Sequence, residues 1–428
     1  MLAAVPTAPP ATDPARSGGA RAVARCDQLG GAPYSDTPDG LFRAWLSPAH
    51  RAAVTQVSTW MREAGMQVRV DAAANLVGRY EAAHPEAPAL LIGSHLDSVR
   101  DAGRYDGPLG ILLGIECVAA LHAQARRLPF AVEVIAFGDE EGSRFPASMF
   151  CSRAVAGTLD PAALAVSDAS GIDVAAALAD WGLDIAQIRH AARPPGSVLA
   201  YLETHIEQGP VLEAEALPVG IVTAIAAQRR FALRFDGRAG HAGTTTMALR
   251  RDALSAAADA LLAIERIARA GSSDLVATVG KLQLAPGAIN VVPGRVDCTL
   301  DVRAGSDATR DAAVREIEHA LAQIGTQRGI AIAIEPLQTL AASPCDPALM
   351  LRLEHAVAAQ GIVPRRLVSG AGHDAMTMAA LCPTAMLFVR CAGGISHHPD
   401  EHVDPADADL ALAVMRHFIE HLGDPLVT

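Results

Sequence analysis

The chain has 428 residues, enough for two to three domains of about 150 residues each. Half of the residues are hydrophobic and 19% are charged, a composition that indicates a folded globular protein rather than a disordered one. The net charge of -12 excludes nucleic acid as a general partner, because phosphate binding needs a basic surface.

The N-terminal residues, the apolar segments and the cysteines further restrict the class of protein. Residues 1–22 are Ala/Pro-rich, and we expect a disordered tail there because its prolines interrupt any signal-peptide core. No uninterrupted apolar window of about 18 residues occurs, so no membrane span is predicted. The 7 cysteines are scattered and form no CxxC pair, which favours reduced, buried thiols in a cytoplasmic protein.

The first part of the chain alternates between helical and strand patterns. The predicted elements are a helix over 47–65, a strand over 89–93, a helix over 109–123 and a strand over 130–137. This alternation favours an α/β fold with a mostly parallel sheet, in which ligands bind beyond the carboxyl ends of the strands.

The middle of the chain has a different pattern. Its predicted elements are a strand over 231–235, a helix over 247–270, strands over 275–284 and 296–303, a helix over 308–324 and a strand over 330–335. This order is β-α-β-β-α-β, the ferredoxin-like arrangement. A helix over 347–360 and a strand over 385–389 then resume the first pattern. We therefore predict an α/β domain of residues 23–222 and 339–428, interrupted by a ferredoxin-like domain of residues 223–338.

Several polar clusters directly follow the apolar strands. They contain His95 and Asp97 in GSHLDS, Asp106 in RYDG, Glu140 and Glu141 in GDEEG, His205 in ETHIEQG and His397 in GISHHPDEH. One such histidine alone is more often structural, and a pair of glutamates is more often a solvated surface. Because several clusters share this placement, we favour a site for zinc or a similar divalent cation, which imidazole and carboxylate groups bind.

The ligands can be divided between two adjacent metals. Two such ions need a bridging carboxylate, and Asp106 can supply it. The remaining ligands are His95 and His205 for one ion, and Glu141 and His397 for the other. Asp97 can accept the second N–H group of His95 and orient its ring. Glu140 is then left as the general base that activates water.

The ordered set of clusters resembles the hydantoinase/carbamoylase family of amidohydrolases, within the dinuclear-metal aminoacylase and carboxypeptidase superfamily. The clusters that carry the resemblance are GSHLDSV, YDGPLG, GDEEGSRF, HIEQGPVLE, GHAGTTTM, INVVPG, DVR, SGAGHDA and GISHHPDEH. The resemblance extends from about Arg25 to His421. Within the family, the chain is most similar to the allantoate amidohydrolases.

The resemblance implies the same metal ligands and the same base. It further implies five substrate contacts, at Gln208, His241, Asn290, Arg303 and Gly372. Arg303 would hold a carboxylate through two N–H groups, and His241 and Asn290 would donate to a developing oxyanion. The inserted domain would be a lid that also forms a homodimer interface.

The sequence departs from the family pattern at two positions. Thr246 stands where proline is usual, and His398 stands where asparagine is usual. His398 could compete as a ligand, but the residue directly after Ser396 occupies the ligand position of the family, which favours His397.

The expected activity is metal-dependent hydrolysis of the ureido or carbamoyl C–N bond of a small carboxylate, with release of ammonia and carbon dioxide. Allantoate is the first expected substrate, and N-carbamoyl-L-amino acids are the alternative. A peptidase or aminoacylase and a non-enzymatic dimeric scaffold are remoter alternatives. The expected cofactors are two divalent ions, Zn²⁺ or Mn²⁺, although Co²⁺ and Ni²⁺ suit the same ligands.

Overall fold

The structure is a computed structural model that describes residues 18–84 and 86–425. The helices are α1 (Gly18–Leu29), α2 (Pro48–Glu63), α3 (Pro108–Ala123), α4 (Phe150–Ala156), α5 (Val174–Asp180), α6 (Val211–Ala214), α7 (Ala253–Ala270), α8 (Asp307–Arg328), α9 (Pro347–Ala358), α10 (Ala375–Met378) and α11 (Pro405–Glu420). The strands are β1 (Gln67–Val70), β2 (Leu76–Tyr80), β3 (Ala89–His95), β4 (Ala131–Phe137), β5 (Val198–Ile206), β6 (Val219–Ile225), β7 (Ala227–Asp236), β8 (Gly240–His241), β9 (Val276–Thr278), β10 (Leu282–Ala285), β11 (Val291–Val292), β12 (Arg295–Ala304), β13 (Ala331–Leu340), β14 (Ser343–Pro344), β15 (Arg366–Ser369) and β16 (Thr384–Val389).

The helix α1 corrects part of the predicted tail. Residues 1–17 lie outside the described residues, but residues 18–22 form the start of α1 rather than a disordered segment. Ala22, Cys26 and Leu29 are buried along one side of this helix, which contacts α3 and α11. Burial of that apolar side stabilises a segment whose composition alone favours disorder.

The described chain divides into two units. The first comprises the residues up to Val222, Cys345–Arg366 and the residues from His373 onward. The second comprises Thr223–Pro344 and Leu367–Gly372.

The first unit is built around the parallel centre of a nine-stranded sheet. Strands β4, β3, β5 and β16 are parallel neighbours, and every residue of β3 and β4 is buried. The expected α/β fold with a central sheet is confirmed. The sheet is mixed rather than mostly parallel, however, because β2 pairs with β4 and β6 pairs with β16 in antiparallel fashion. At one edge, a short turn joins β1 to β2, and such a connection suits only antiparallel strands.

The second unit contains a five-stranded antiparallel sheet with the order β10-β12-β7-β13, in which β9 also pairs with β12. Residues of α7 and α8 pack against one face of the sheet. The helix predicted over 247–270 begins only at Ala253, where Asp252 caps it by accepting the N–H groups of Leu254 and Ser255. The strand predicted over 275–284 is divided into β9 and β10 around Gly280, which has no side chain to pack. The role of this unit as a lid and dimer interface stays a prediction.

Two further expectations concern membrane spans and the cysteines. Within residues 18–84 and 86–425, no helix has both the length and the apolar character that a membrane span requires. The seven cysteines are buried and free, as predicted.

Candidate metal centre

The predicted ligands lie at the carboxyl ends of the parallel strands of the first unit. Their positions are His95 as the last residue of β3, Asp106 between β3 and α3, Glu140 and Glu141 after β4, His205 near the end of β5, and His397 after β16. Because the carboxyl ends of parallel neighbours meet at one edge of a sheet, these residues come together although they are distant in sequence.

A first group consists of His95, His205 and one carboxylate oxygen of Asp106. Asp106 Oδ1 lies 3.0 Å from Nε2 of His205 and 3.4 Å from Nε2 of His95, and the two Nε2 atoms are 3.5 Å apart. Ligand atoms bound tetrahedrally at about 2.0–2.2 Å from a zinc ion are separated by roughly 3.3–3.6 Å. Two of the three separations, 3.4 and 3.5 Å, fall in this range and the third, 3.0 Å, is shorter, so a small adjustment of one side chain would let the three atoms bind one divalent cation.

A second group uses the other oxygen of Asp106. Asp106 Oδ2 lies 3.2 Å from Nε2 of His397, which lies 3.4 Å from Oε1 of Glu141. Asp106 thus faces both groups with different oxygens, as a bridging carboxylate does. Glu140, His95 and Glu141 form a third group whose ligand atoms lie within 4.8 Å of one another, so Glu140 is also within reach of a cation.

The position of His398 differs from that of its neighbour. Its ring accepts the N–H group of Asp400 at 3.2 Å and lies on the surface. Of the three groups of possible metal ligands among the described residues, one contains His397 and none contains His398. Thr246, the other departure from the family pattern, precedes a short 3₁₀ turn, Met247–Leu249, in the second unit.

Backbone carbonyls orient the two buried imidazoles. Nδ1 of His205 lies 2.9 Å from the carbonyl oxygen of Ile206, and Nδ1 of His95 lies 3.1 Å from that of Asp97. An N–H group donated at Nδ1 leaves Nε2 free to bind a cation. The carboxylate of Asp97, predicted to accept from His95, is the more distant acceptor at 3.6 Å.

The carboxylate of Asp97 holds the backbone of the Glu140 loop instead. It is fully buried, and its two oxygens accept the N–H groups of Glu140 at 3.1 Å and Glu141 at 3.2 Å. Asp97 therefore fixes the main chain that carries both the predicted base and a predicted ligand.

Three further side chains surround Asp106. Ser396 Oγ donates to Asp106 Oδ2 at 2.7 Å, and Gln208 Nε2 donates to the same oxygen at 2.9 Å. Glu401 is buried, and its Oε1 accepts the N–H groups of Tyr105 at 2.7 Å and Asp106 at 3.0 Å. Gln208 was predicted to contact substrate, whereas Ser396 and Glu401 were not predicted, although both lie in the GISHHPDEH cluster.

Another missed residue, His373, lies beside the first group. Its ring is buried and packs edge-on against that of His205, with 4.5 Å between the ring centroids. The polar cluster GAGHDA, which contains His373, indicates a candidate site residue. Its spacing does not indicate which strand end this side chain would approach.

Gly107 allows the chain to pass close to His95. Its φ is +86°, and a Cβ atom there would lie 2.4 Å from the backbone oxygen of His95 and 2.7 Å from its ring. Only glycine combines this backbone conformation with so close an approach.

The acidic side chains of the centre repel one another. Burial raises the pKa of Glu140 well above its usual range, and the nearby charges of Glu141 and Asp374 add to the effect. Burial also raises the pKa of Glu141 to about 7. Burial acts on Asp106 in the same direction, but hydrogen bonds from the surrounding imidazoles hold its pKa well below the usual range. A divalent cation would relieve the repulsion, so the donor set fits a metal in charge as well as in spacing.

The other predicted substrate contacts, His241, Asn290, Arg303 and Gly372, belong to the second unit. His241 and Asn290 are neighbours, because the N–H group of Ala242 donates to the carbonyl oxygen of Asn290 at 2.9 Å. Arg303 donates from Nε and Nη2 to Asp301 at 3.1 and 2.9 Å. The paired N–H groups predicted for a substrate carboxylate therefore contact a carboxylate of the protein.

Comparison with known proteins places the chain in a family. Residues 91–421 match the model of peptidase family M20/M25/M40. The chain belongs to this family. An M20 relative, the N-carbamoyl-L-amino acid amidohydrolase of Geobacillus stearothermophilus, is 43% identical over 90% of this chain and 94% of its own length. Allantoate deiminase 1 of Glycine max is 39% identical over 94% of this chain and 89% of its own length.

Solved structures agree with this assignment. A hydantoinase/carbamoylase family amidase from Burkholderia multivorans is 32% identical and superposes with a TM-score of 0.87, over 95% of this chain and 98% of that one. The predicted resemblance is confirmed. This M20 protein is an enzyme, an amidohydrolase that acts on C–N bonds, and the remote alternative of a non-enzymatic scaffold is set aside.

Proposed function

We propose that this amidohydrolase cleaves the ureido or carbamoyl C–N bond of a small carboxylate, with allantoate as substrate. The observation that carries the proposal is the pair of ligand groups that share Asp106, with the buried carboxylate of Glu140 beside them. N-carbamoyl-L-amino acids are the second candidate, favoured by the 43% identity to an N-carbamoyl-L-amino acid amidohydrolase.

The proposed cofactors are two divalent ions, Zn²⁺ or Mn²⁺, with Co²⁺ and Ni²⁺ as further possibilities. One set of ligands is His95, His205 and Asp106, and the other is Asp106, Glu141 and His397. When bound, such ions polarise a carbamoyl oxygen and lower the pKa of water.

The residues of the chain then have separate tasks. Glu140 takes a proton from the attacking water and passes it to the leaving nitrogen, so that ammonia departs. The remaining carbamate decomposes to carbon dioxide and a second amine. Asp97 keeps Glu140 in position through its backbone N–H group. The proposed substrate contacts are Gln208, His241, Asn290, Arg303 and Gly372, and we propose a homodimer through residues 223–338.

Ammonia release from the purified protein tests the proposal. Allantoate, an N-carbamoyl-L-amino acid, an N-acetyl-L-amino acid and a dipeptide are supplied in turn, with Zn²⁺ or Mn²⁺ added separately. We expect ammonia from the first two substrates and the highest kcat/KM with allantoate, and the Glu140→Gln variant controls for contaminating activity. Hydrolysis of the N-acetyl substrate or the dipeptide releases no ammonia, so it is measured as the free amino acid. Cleavage of only these two compounds would instead identify an aminoacylase or peptidase.

A further inference from the structure

One carboxylate of the second unit connects two arginines and a glutamine. Asp301 on β12 accepts from Arg303 Nε and Nη2 at 3.1 and 2.9 Å, and from Arg230 Nε at 2.9 Å. The amide of Gln228 also donates to both of its oxygens, at 3.1 and 2.9 Å. Asp301 therefore fixes the position of both guanidinium groups.

The strand register accounts for this cluster. In the antiparallel pair β12–β7, Asp301 lies opposite Arg230, and Arg303 lies opposite Gln228. Side chains two residues apart on a strand share one face, so Asp301 and Arg303 project together. Their neighbours Leu300 and Val302 are buried in the apolar core of this unit.

The cluster borders a cavity of about 560 Å³ in the second unit. Arg230, Asp301 and Arg303 line it together with Thr299, Leu337 and Gly370. A guanidinium has five N–H groups. Asp301 and the carbonyl of Gly370 accept from three of those of Arg303, while Asp301 and Gln338 accept from two of those of Arg230. Within the described residues, this leaves donors on both arginines for a ligand.

The charge of the cluster matches a single carboxylate. Two guanidinium groups and one carboxylate carry a net charge of +1, which one bound carboxylate would neutralise. We propose that Arg230 and Arg303 form one carboxylate subsite and that Asp301 is its positioning residue. This inference rests on the proposed function, which requires a carboxylate site but assigns no role to Arg230 or Asp301.

The same strand supplies a matched control cluster. Asp297 accepts from Arg295 Nε and Nη2 at 2.7 and 2.9 Å, and from Arg234 Nε at 3.2 Å. Its charge is also +1, and it lies on the same side of β12. None of its three residues lines the cavity beside Arg303. General charge effects should therefore act on both clusters, whereas specific binding should involve only the Asp301 cluster.

Equilibrium binding tests the subsite. Allantoate and N-carbamoylglycine are titrated by calorimetry into the metal-loaded Glu140→Gln protein, in which we expect turnover to be slowed at least a hundredfold. We expect Asp301→Asn and Arg230→Gln to weaken binding about tenfold, the loss of roughly one charge-assisted contact. Asp297→Asn and Arg234→Gln should leave binding unchanged. In the otherwise wild-type enzyme, the first two variants should raise KM with little change in kcat, and Asp301→Glu should restore part of the loss.

Other results would contradict the subsite, the proposed function or both. Equal weakening by both clusters would indicate a general charge effect, and tighter binding in Asp301→Asn would show that Asp301 competes with substrate. If Asp301→Asn does not fold, Arg230→Gln still tests the subsite, because the side chain of Arg230 is 45% exposed.

Two further outcomes separate the subsite from the proposed function. If Glu140→Gln binds allantoate but the wild type releases no ammonia, the proposed function fails and the subsite can stand. If the wild type releases ammonia but all variants bind alike, the subsite alone fails. Absence of binding to both compounds would overturn both.

Discussion

At the scale of single residues, Glu140 and Glu141 are adjacent carboxylates with different proposed tasks. Glu140→Gln keeps the shape of the side chain but cannot accept a proton, so we expect kcat to fall about 10²–10⁴-fold with metal content unchanged. Glu141→Gln should reduce metal content, because Glu141 faces His397 at 3.4 Å. Activity assays with elemental analysis of both variants check this. Loss of metal from Glu140→Gln would mean that Glu140 is itself a ligand.

Asp97 offers a second test, because its carboxylate accepts two backbone N–H groups beside the site. An asparagine places an N–H donor against one of them, so Asp97→Asn should cost about 1–3 kcal/mol of stability and about 10–100-fold in activity. Asp36 is the control for the loss of this kind of contact, since its carboxylate also accepts two backbone N–H groups, those of Ala44 and Ala49, but on the surface of the protein. Because water can replace the lost contact at the exposed Asp36, Asp36→Asn should lower the melting temperature less than Asp97→Asn does, and it should leave kcat intact. A similar loss of kcat in both variants would show that Asp97 acts only through global stability.

The sequence identified most clearly those site residues that are polar although they lie in buried positions, where polar side chains are rare. His95, Asp106 and His205 follow apolar strands, where a polar residue needs a partner, and the structure brings them together. Ser396 and Glu401 were missed because they act on Asp106 over 290 and 295 residues of sequence. Such contacts depend on how loops fold over the sheet, which strand patterns do not encode.

At the scale of elements, the start of α3 positions the first ligand group. Gly107→Ala should place a methyl group against the backbone and ring of His95, so we expect a stability loss above 1 kcal/mol and a reduced metal content. Gly182, with φ +79° and no heavy atom within 4 Å of the added Cβ, is the control. Gly182→Ala should show a smaller stability loss from backbone strain and full metal content. Thermal unfolding and elemental analysis separate the two effects, and equal metal content would contradict the predicted clash.

The sequence pattern predicted those strands correctly whose residues are buried along their whole length. The strands β3 and β4 were predicted because parallel strands covered on both faces are continuous apolar runs. The edge strand β1 was not predicted, since it has only four residues, which are largely exposed, and its alternation of polar and apolar residues is too short to stand out. α1 was missed for another reason: its packing against α3 and α11 is a tertiary contact that composition does not reveal.

At the scale of the whole molecule, the candidate ligands all belong to the first unit. Chelation should therefore abolish activity and destabilise that unit, since a ligand at about a thousandfold above its Kd contributes about 4 kcal/mol. Hydrogen exchange should accelerate around β3, β5 and α3 and stay unchanged in α7 and α8, and Zn²⁺ or Mn²⁺ should reverse the change. Faster exchange in α7 and α8 would show that metal binding also stabilises the second unit.

The buried cysteines can report how fast each unit opens, because each thiol can be labelled chemically once it becomes accessible. Cys298 lies in the second unit and the other six lie in the first. Cys298 and Cys391 are buried, with 4% and 0% of their surface exposed, so an alkylating reagent reaches each thiol only when its surroundings open. Burial also raises the pKa of both thiols to about 11, which lowers their reactivity further. Pulsed alkylation followed by peptide mass spectrometry would time the opening of each unit in one unmodified sample. Different rates for Cys298 and Cys391 would mean that the units open independently, and a common rate would mean that they unfold as one.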